Sequence, residues 1–188
     1  LCGASGDHLG DTSEIESYFD KNPNKNIHLI CVKPSKYALL INKINTSGIM
    51  PYAFYIAFNL WHREAFKAAK EIIENKEIDI IHQYNPIGFR EPGYLWKFEQ
   101  PFIWGPIGGA NFIKTELLKH HNIKSNILYR LKNIATLLQL KYSSRVRKAA
   151  KKSSCLLFCS SEHKDNFIKN GIAFNESTIL SEQAISIN

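Results

Sequence analysis

The sequence predicts an α/β fold, a Rossmann-like parallel sheet flanked by helices, and three observations carry that prediction. Short apolar runs at 26–32, 78–81, 102–104, 155–159 and 177–180 have the length of buried strands. Longer stretches between them repeat their apolar residues with a helical period. Strands that alternate with helices, instead of following one another through tight turns, pair in parallel through crossover connections.

A chain of 188 residues fits one domain with a core large enough for stability. Its composition, 44% apolar and 22% charged, excludes wholesale disorder. No apolar run approaches the roughly 20 residues of a transmembrane helix, and no signal peptide is legible at Leu1–Asp7. Of the four cysteines, Cys155 and Cys159 share a strand face but are too far apart to bond, and their spacing is not that of metal ligands. Free thiols in a reducing compartment are therefore expected. The net charge of +7 is concentrated: residues 117–161 hold ten Lys and Arg and no Asp or Glu. Such a stripe attracts phosphate, on nucleic acid, anionic lipid or a diphosphate-linked substrate, or is simply a solvated helix face.

Taken in order, residues 1–12 read as a Gly- and Ser-rich loop, and a short helix to Phe19 follows, capped by Thr12 or Ser13. Asn26–Val32 reads as a strand stopped by Pro34, and residues 36–49 as either a short helix or a loop. Residues 51–76 form the clearest helix, with Pro51 in its first turn and Phe54, Phe58, Trp61, Ala65, Ala69 and Ile72 on one face. His62 on that helix is read as ordinary. A strand at Ile78–Ile81, a short helix at Tyr94–Phe98 opened by Pro92, and a strand at Phe102–Trp104 come next. Helices are expected at Phe112–His121 and Ser125–Lys152, the second with an apolar stripe of Ile127, Leu128, Leu131, Ile134, Leu137, Leu138, Leu140 and Val146 beside its basic residues. Cys155–Cys159 is a buried strand. Ser160 and Ser161 cap a helix stopped by Asn170-Gly171, and Ser177–Leu180 is a last strand.

The stretch from Ile78 to Asn111 organises the rest. Its two strands end in polar and glycine-rich loops: His82-Gln83-Tyr84-Asn85 after the first, Gly105-Pro-Ile-Gly-Gly-Ala-Asn111 after the second. In an open parallel sheet ligands bind beyond the carboxyl ends of the strands, so both loops point to one cleft. A neutral imidazole at His82 suits hydrogen bonding to a hydroxyl or steering a proton; the plainer reading is a satisfied histidine at a strand end. Gly105, Gly108 and Gly109 permit close backbone approach and inward N–H groups that hold an anion, or merely form a tight turn. Arg90 suits a phosphate and Glu91 the hydroxyls of an acceptor, unless Glu91 only complements a helix dipole. No Ser-His-Asp set, metal-ligand cluster or carboxylate pair is legible, and no cofactor or metal is expected.

His82, the run Gly-Phe-Arg-Glu-Pro-Gly-Tyr-Leu-Trp-Lys at 88–97 and the run Trp-Gly-Pro-Ile-Gly-Gly at 104–109 closely resemble the N-terminal, acceptor-side domain of family 4 (group 1) glycosyltransferases. The likeness is specific over 78–111 and generic elsewhere. It implies one half of a GT-B fold, and it assigns His82 a catalytic role, with Gln83, Arg90, Glu91, Gly105, Gly108, Gly109 and Asn111 as substrate-binding residues. By the same resemblance, sugar moves from a nucleotide-sugar donor to a glycan or lipid-linked hydroxyl acceptor with retention of configuration and without a metal. The implied setting is cytoplasmic and peripheral on the inner face of an anionic membrane, with no nucleic-acid partner. The family's first β-α unit is expected to be missing ahead of Leu1. Its donor-binding domain is expected after about Asn188 and is also missing, so the chain reads as a fragment without activity alone. The alternative from the residues themselves is a non-enzymatic α/β module that binds nucleic acid or an anionic surface through the basic segment at 119–152, with few aromatics to stack on bases.

Overall fold

In the computed structural model, residues 1–3, 12–50, 52–84, 86–114 and 122–180 are described. The expected helix at Phe112–His121 therefore falls largely outside the described residues, and so do Pro51 and Asn85. The chain divides into two compact units, residues 1–78 with 93–95, and residues 79–92 with 96–188.

The first unit opens with a strand where the sequence led us to expect a loop. Strand β1 (Cys2–Gly3) pairs in parallel with β2 (Cys31–Val32), and helix α1 (Ser13–Lys21) lies between them in the chain. Residues 2–3, expected to belong to a loop, thus form the first strand of a strand–helix–strand unit. The two-residue β-strand is hard to see in sequence because Cys-Gly carries no apolar run. Strand β2 keeps only the end of the expected 26–32 segment. Residues 36–49 resolve as helix α2 (Lys36–Thr46), whose N-cap Ser35 accepts a hydrogen bond from the Ala38 N–H at 3.2 Å. Helix α3 (Ala53–Asn75) matches its expected span and buries Ala57, Trp61, Ala65 and Ala69, one residue per turn. Its Trp61 indole N–H donates to the Val32 carbonyl at 2.8 Å, tying helix to strand. His62, read as ordinary, is buried between the rings of Phe58 and Trp61.

The second unit is a four-stranded parallel sheet in the order β3-β4-β5-β6, where β3 is Ile81–Gln83, β4 Phe102–Ile107, β5 Cys155–Phe158 and β6 Glu176–Ile179. The α/β class with a parallel sheet flanked by helices is therefore as the alternation of elements predicts. Two strand boundaries move. Strand β3 starts at Ile81 instead of ending there, so His82 lies within the strand; Ile80 is 57% exposed and contributes nothing to a core. Strand β4 runs through Gly105 and Pro106 to Ile107, where the sequence puts its end at Trp104.

Helix α4 (Ile123–Tyr142) and helix α5 (Ser144–Lys152) replace the single expected helix. The break falls at Ser143, whose backbone is extended and whose hydroxyl accepts from the Val146 N–H at 3.4 Å, so it ends one helix and caps the next. Helix α6 (Ser161–Lys169) ends as expected at Asn170-Gly171. Gly171 has φ +65°, and the Ile172 N–H returns to the Phe167 carbonyl at 3.0 Å. The expected helix at Tyr94–Phe98 is only a short 3₁₀ turn, Leu95–Lys97. The core of this unit is aromatic. Fully buried Phe167 of α6 packs edge-on against Phe158 of β5 at 5.1 Å and Phe89 at 6.1 Å, with Trp104 of β4 at 6.4 Å.

Candidate functional site

The two strand ends on which a shared cleft depends lie side by side and run the same way. Ile81, His82 and Gln83 pair with Phe102, Ile103 and Trp104. Successive side chains on a strand take opposite faces, and burial follows: Ile81 and Gln83 are buried, His82 is exposed. His82 and Gln83 therefore serve different faces of the sheet.

Beyond Trp104 the ladder slips. Trp104 pairs with Leu156 and Ile107 with Phe158, so Gly105 and Pro106 together oppose Leu157 alone. This is a bulge, and the residue types are what it needs. Proline brings no N–H that the ladder would have to satisfy. Gly105 sits at φ +139°, a conformation that side chains resist, and a Cβ there would lie 2.2 Å from the Leu157 carbonyl oxygen. The peptide between Gly105 and Pro106 is cis. The Gly105 carbonyl meets the His82 Nε2 at 2.8 Å. A carbonyl only accepts, so Nε2 is the donor here, and in the tautomer that leaves Nδ1 without a proton Nδ1 is an acceptor. The ring also stands edge-on to Tyr84 at 5.8 Å.

The loop after β4 is fixed through its carbonyls. The Gly108 N–H donates to the Ile87 carbonyl at 2.7 Å and the Phe89 N–H to the Gly108 carbonyl at 3.1 Å, a short parallel bridge between Gly88 and Gly108. Arg90 Nη1 donates to the Gly109 carbonyl at 3.2 Å, and the Asn166 amide of α6 donates to the Ala110 carbonyl at 2.8 Å. With those acceptors occupied, the N–H groups of Gly109, Ala110 and Asn111 donate to no protein acceptor among the described residues. Gly109 has φ +70°, the left-handed conformation found in anion-holding nests. Gly108 is packed tightly instead: a Cβ would meet Ile87 Cγ2 at 2.9 Å. A bulky residue at position 108 would therefore disturb packing as well as any ligand.

Much of the 88–97 motif is turned inward. Phe89 belongs to the core, and Glu91 is 2% exposed and forms a two-pronged ion pair with Arg145 of α5, its second contact at 3.3 Å. Arg90 lies over the Phe89 ring at 4.7 Å and donates through Nη2 to Thr136 Oγ1 of α4 at 2.6 Å, besides holding Gly109. Arg90 thus bridges the Gly109 loop to α4. Gln83 is 4% exposed and donates to the Glu91 carbonyl at 3.5 Å; its Oε1 has no partner among the described residues. Asn111 is exposed at the end of the loop.

The structure thus brings His82, Gly105, Gly108, Gly109, Arg90 and Asn111 to the carboxyl ends of β3 and β4, while Gln83 and Glu91 sit beneath in the fold. Sequence reasoning missed the residues that hold this arrangement, Thr136, Arg145 and Asn166. Their partners are 46, 54 and 56 positions away, and no local pattern marks them. It also missed the end of β5, where Ser160 Oγ lies 2.7 Å from His163 Nδ1. There the rule that loops follow strand C-termini was available and would have found it. Among the described residues no group of His, Cys, Asp and Glu is placed to hold a metal, and Cys31, Cys155 and Cys159 are free thiols. In comparisons with known proteins, no family model, curated protein or solved structure matched this chain.

Proposed function

We propose that this chain is the acceptor-side part of a family 4 (group 1) glycosyltransferase, which transfers a sugar from a nucleotide-sugar donor to a hydroxyl of a glycan or lipid-linked acceptor. One observation carries the reading: an imidazole with an open acceptor nitrogen and a row of undonated backbone N–H groups stand at the ends of adjacent parallel strands. Sugar transfer from a diphosphate donor can use both. His82 Nδ1 accepts a hydrogen bond from a sugar hydroxyl beside the reacting one and fixes the direction of the substrate, while the Gly109–Asn111 N–H groups and Arg90 stabilise phosphate negative charge. In the resembled family the donor phosphate itself serves as base, with retention at the anomeric carbon and no metal. The chain's lack of a legible nucleophile is compatible with that chemistry. Glu91 is better placed to support the loop than to bind acceptor, since its carboxylate is already matched by Arg145.

The nucleic-acid alternative gains nothing here, because two of its cations are committed inside the fold. Arg145 holds Glu91, and Arg147 donates to the carbonyls of Leu140, Asn170 and Gly171.

The test is nucleoside-diphosphate release from a panel of nucleotide sugars by the complete protein. His82→Ala is expected to lower turnover by about two orders of magnitude or more, with thermal stability changed by less than about 1 kcal/mol because the ring is exposed. A near-normal rate in this variant would overturn the site assignment.

A further inference from the structure

The side of β3 that carries His82 carries a second exposed ring. Directions alternate along a strand, so Tyr84 continues on the His82 side while Gln83 between them is buried. Tyr84 is 61% exposed and stands edge-on to the imidazole, with ring centroids 5.8 Å apart and planes at 85°. Among the described residues its hydroxyl takes part in no hydrogen bond. A tyrosine more often buries the body of its ring and leaves the hydroxyl at the wet end. In Tyr84 most of the ring itself is open.

A single exposed aromatic is common on protein surfaces and by itself marks nothing. Tyr84 differs in its company. It follows directly on β3, at the strand end where a parallel sheet receives ligands. The residue of β4 that follows Trp104, the register partner of Gln83, is Gly105, which has no side chain to lay over the ring. The Gly105 carbonyl is engaged by His82 Nε2 at 2.8 Å, so the imidazole beside Tyr84 is held in place. An open aromatic face and a fixed polar ring therefore stand together, at right angles.

That pair suits a pyranose. A sugar ring is apolar over its C–H face and polar round its rim. The face of an aromatic ring is the negative side of its quadrupole and attracts C–H groups, with dispersion added over the whole contact. A pyranose laid on Tyr84 turns its rim hydroxyls sideways, where His82 Nδ1 accepts one in the tautomer that leaves it unprotonated. A flat nucleobase also stacks on tyrosine, but it has no rim of hydroxyls for the imidazole to meet.

We propose that Tyr84 is a stacking platform for a pyranose ring of the acceptor and sets specificity for it, with His82 holding a rim hydroxyl. Its part in the reaction rests on the sugar-transfer reading; the binding itself does not.

Saturation-transfer NMR on the complete protein tests it, with methyl β-D-glucopyranoside as probe and uridine as the comparison ring. The expected result is saturation of the glucoside, strongest at H1, H3 and H5, which share one face of the ring. Tyr84→Ala is expected to weaken glucoside binding by about tenfold. Tyr84→Phe keeps the ring and is expected to stay within about twofold, since the hydroxyl has no partner to lose. Melting curves check that both variants fold, as the exposure of Tyr84 leads us to expect. No glucoside binding by the unaltered protein, undiminished binding by Tyr84→Ala, or a loss in Tyr84→Phe equal to that in Tyr84→Ala would each overturn the proposal. So would Tyr84-dependent saturation of uridine alone, since a base would then be the occupant. Nucleotide-sugar turnover, measured in parallel, keeps the two readings apart. Tyr84-dependent glucoside binding without any turnover would sink sugar transfer and leave the platform standing, whereas turnover with Tyr84-independent binding would sink the platform alone.

Discussion

Strand β4 and helix α4 treat their apolar residues in opposite ways. Phe102, Trp104 and Ile107 of β4 are 1%, 1% and 0% exposed, and even the Gly-Pro pair between them is buried. Ile123, Leu131 and Ile134 of α4 all stay more than half exposed, while Asn133 and Thr136 turn to the protein. The strand puts its apolar residues into the core; the helix is attached through hydrogen bonds and the buried Leu140, and leaves its other large aliphatic residues exposed. Mutational cost should therefore track burial and bonding, not hydrophobicity of the residue replaced, and that contrast can be pressed at four points.

The largest loss is expected at the bulge. Gly105→Ala places a Cβ against the Leu157 carbonyl at 2.2 Å on a backbone with φ +139°, so packing clash and conformational strain add to about 4 kcal/mol or more. A melting temperature unchanged by this substitution would mean that the strand path is wrong. Next comes Arg145→Met, which strips the ion-pair partner from a carboxylate whose side chain is 3% exposed. About 3 kcal/mol is expected. The double variant Glu91→Met/Arg145→Met should regain a large part of that, because no buried charge is then left, and chemical denaturation of the set gives the coupling.

Smaller again is Thr136→Val, which keeps the shape of the residue but removes the acceptor for Arg90 and one contact between α4 and the Gly109 loop. About 1 kcal/mol is expected, and faster hydrogen exchange in residues 108–111 should accompany it. Smallest is Leu131→Asn on the outer face of α4, within about 0.5 kcal/mol of the unaltered chain. A loss of 2 kcal/mol or more there would show that the face is packed against protein after all, and the contrast with β4 would collapse.

Particular elements show where the sequence is and is not self-sufficient. Helix α3 was legible to within two residues at its described ends, because its apolar residues recur once per turn and the same residues make its buried face. In α4 periodicity exposed an apolar stripe equally well, but not that Ile127, Leu131, Ile134 and Leu138 look outward while Leu140 is buried. Periodicity reports that a face exists, not which way it looks. The strand ends moved for a related reason: Ile78 and Ile80 are apolar enough to suggest a strand, but only the positions opposite Phe102 and Trp104 have a neighbour to pair with.

The residues by themselves determine the α/β alternation, the parallel pairing that follows from it, and the clustering of His82 with a glycine-rich turn at neighbouring strand ends. These depend on local preference and chain connectivity, which short-range pattern encodes. Only tertiary structure decides that Glu91 belongs to Arg145, that Arg90 bridges Gly109 to Thr136, that Gly105 makes a bulge and that α4 faces outward. Each of those joins positions at least 19 residues apart or depends on which side of an element meets the core. Long-range pairing is selected by the total packing of the fold, and no window along the chain contains that information.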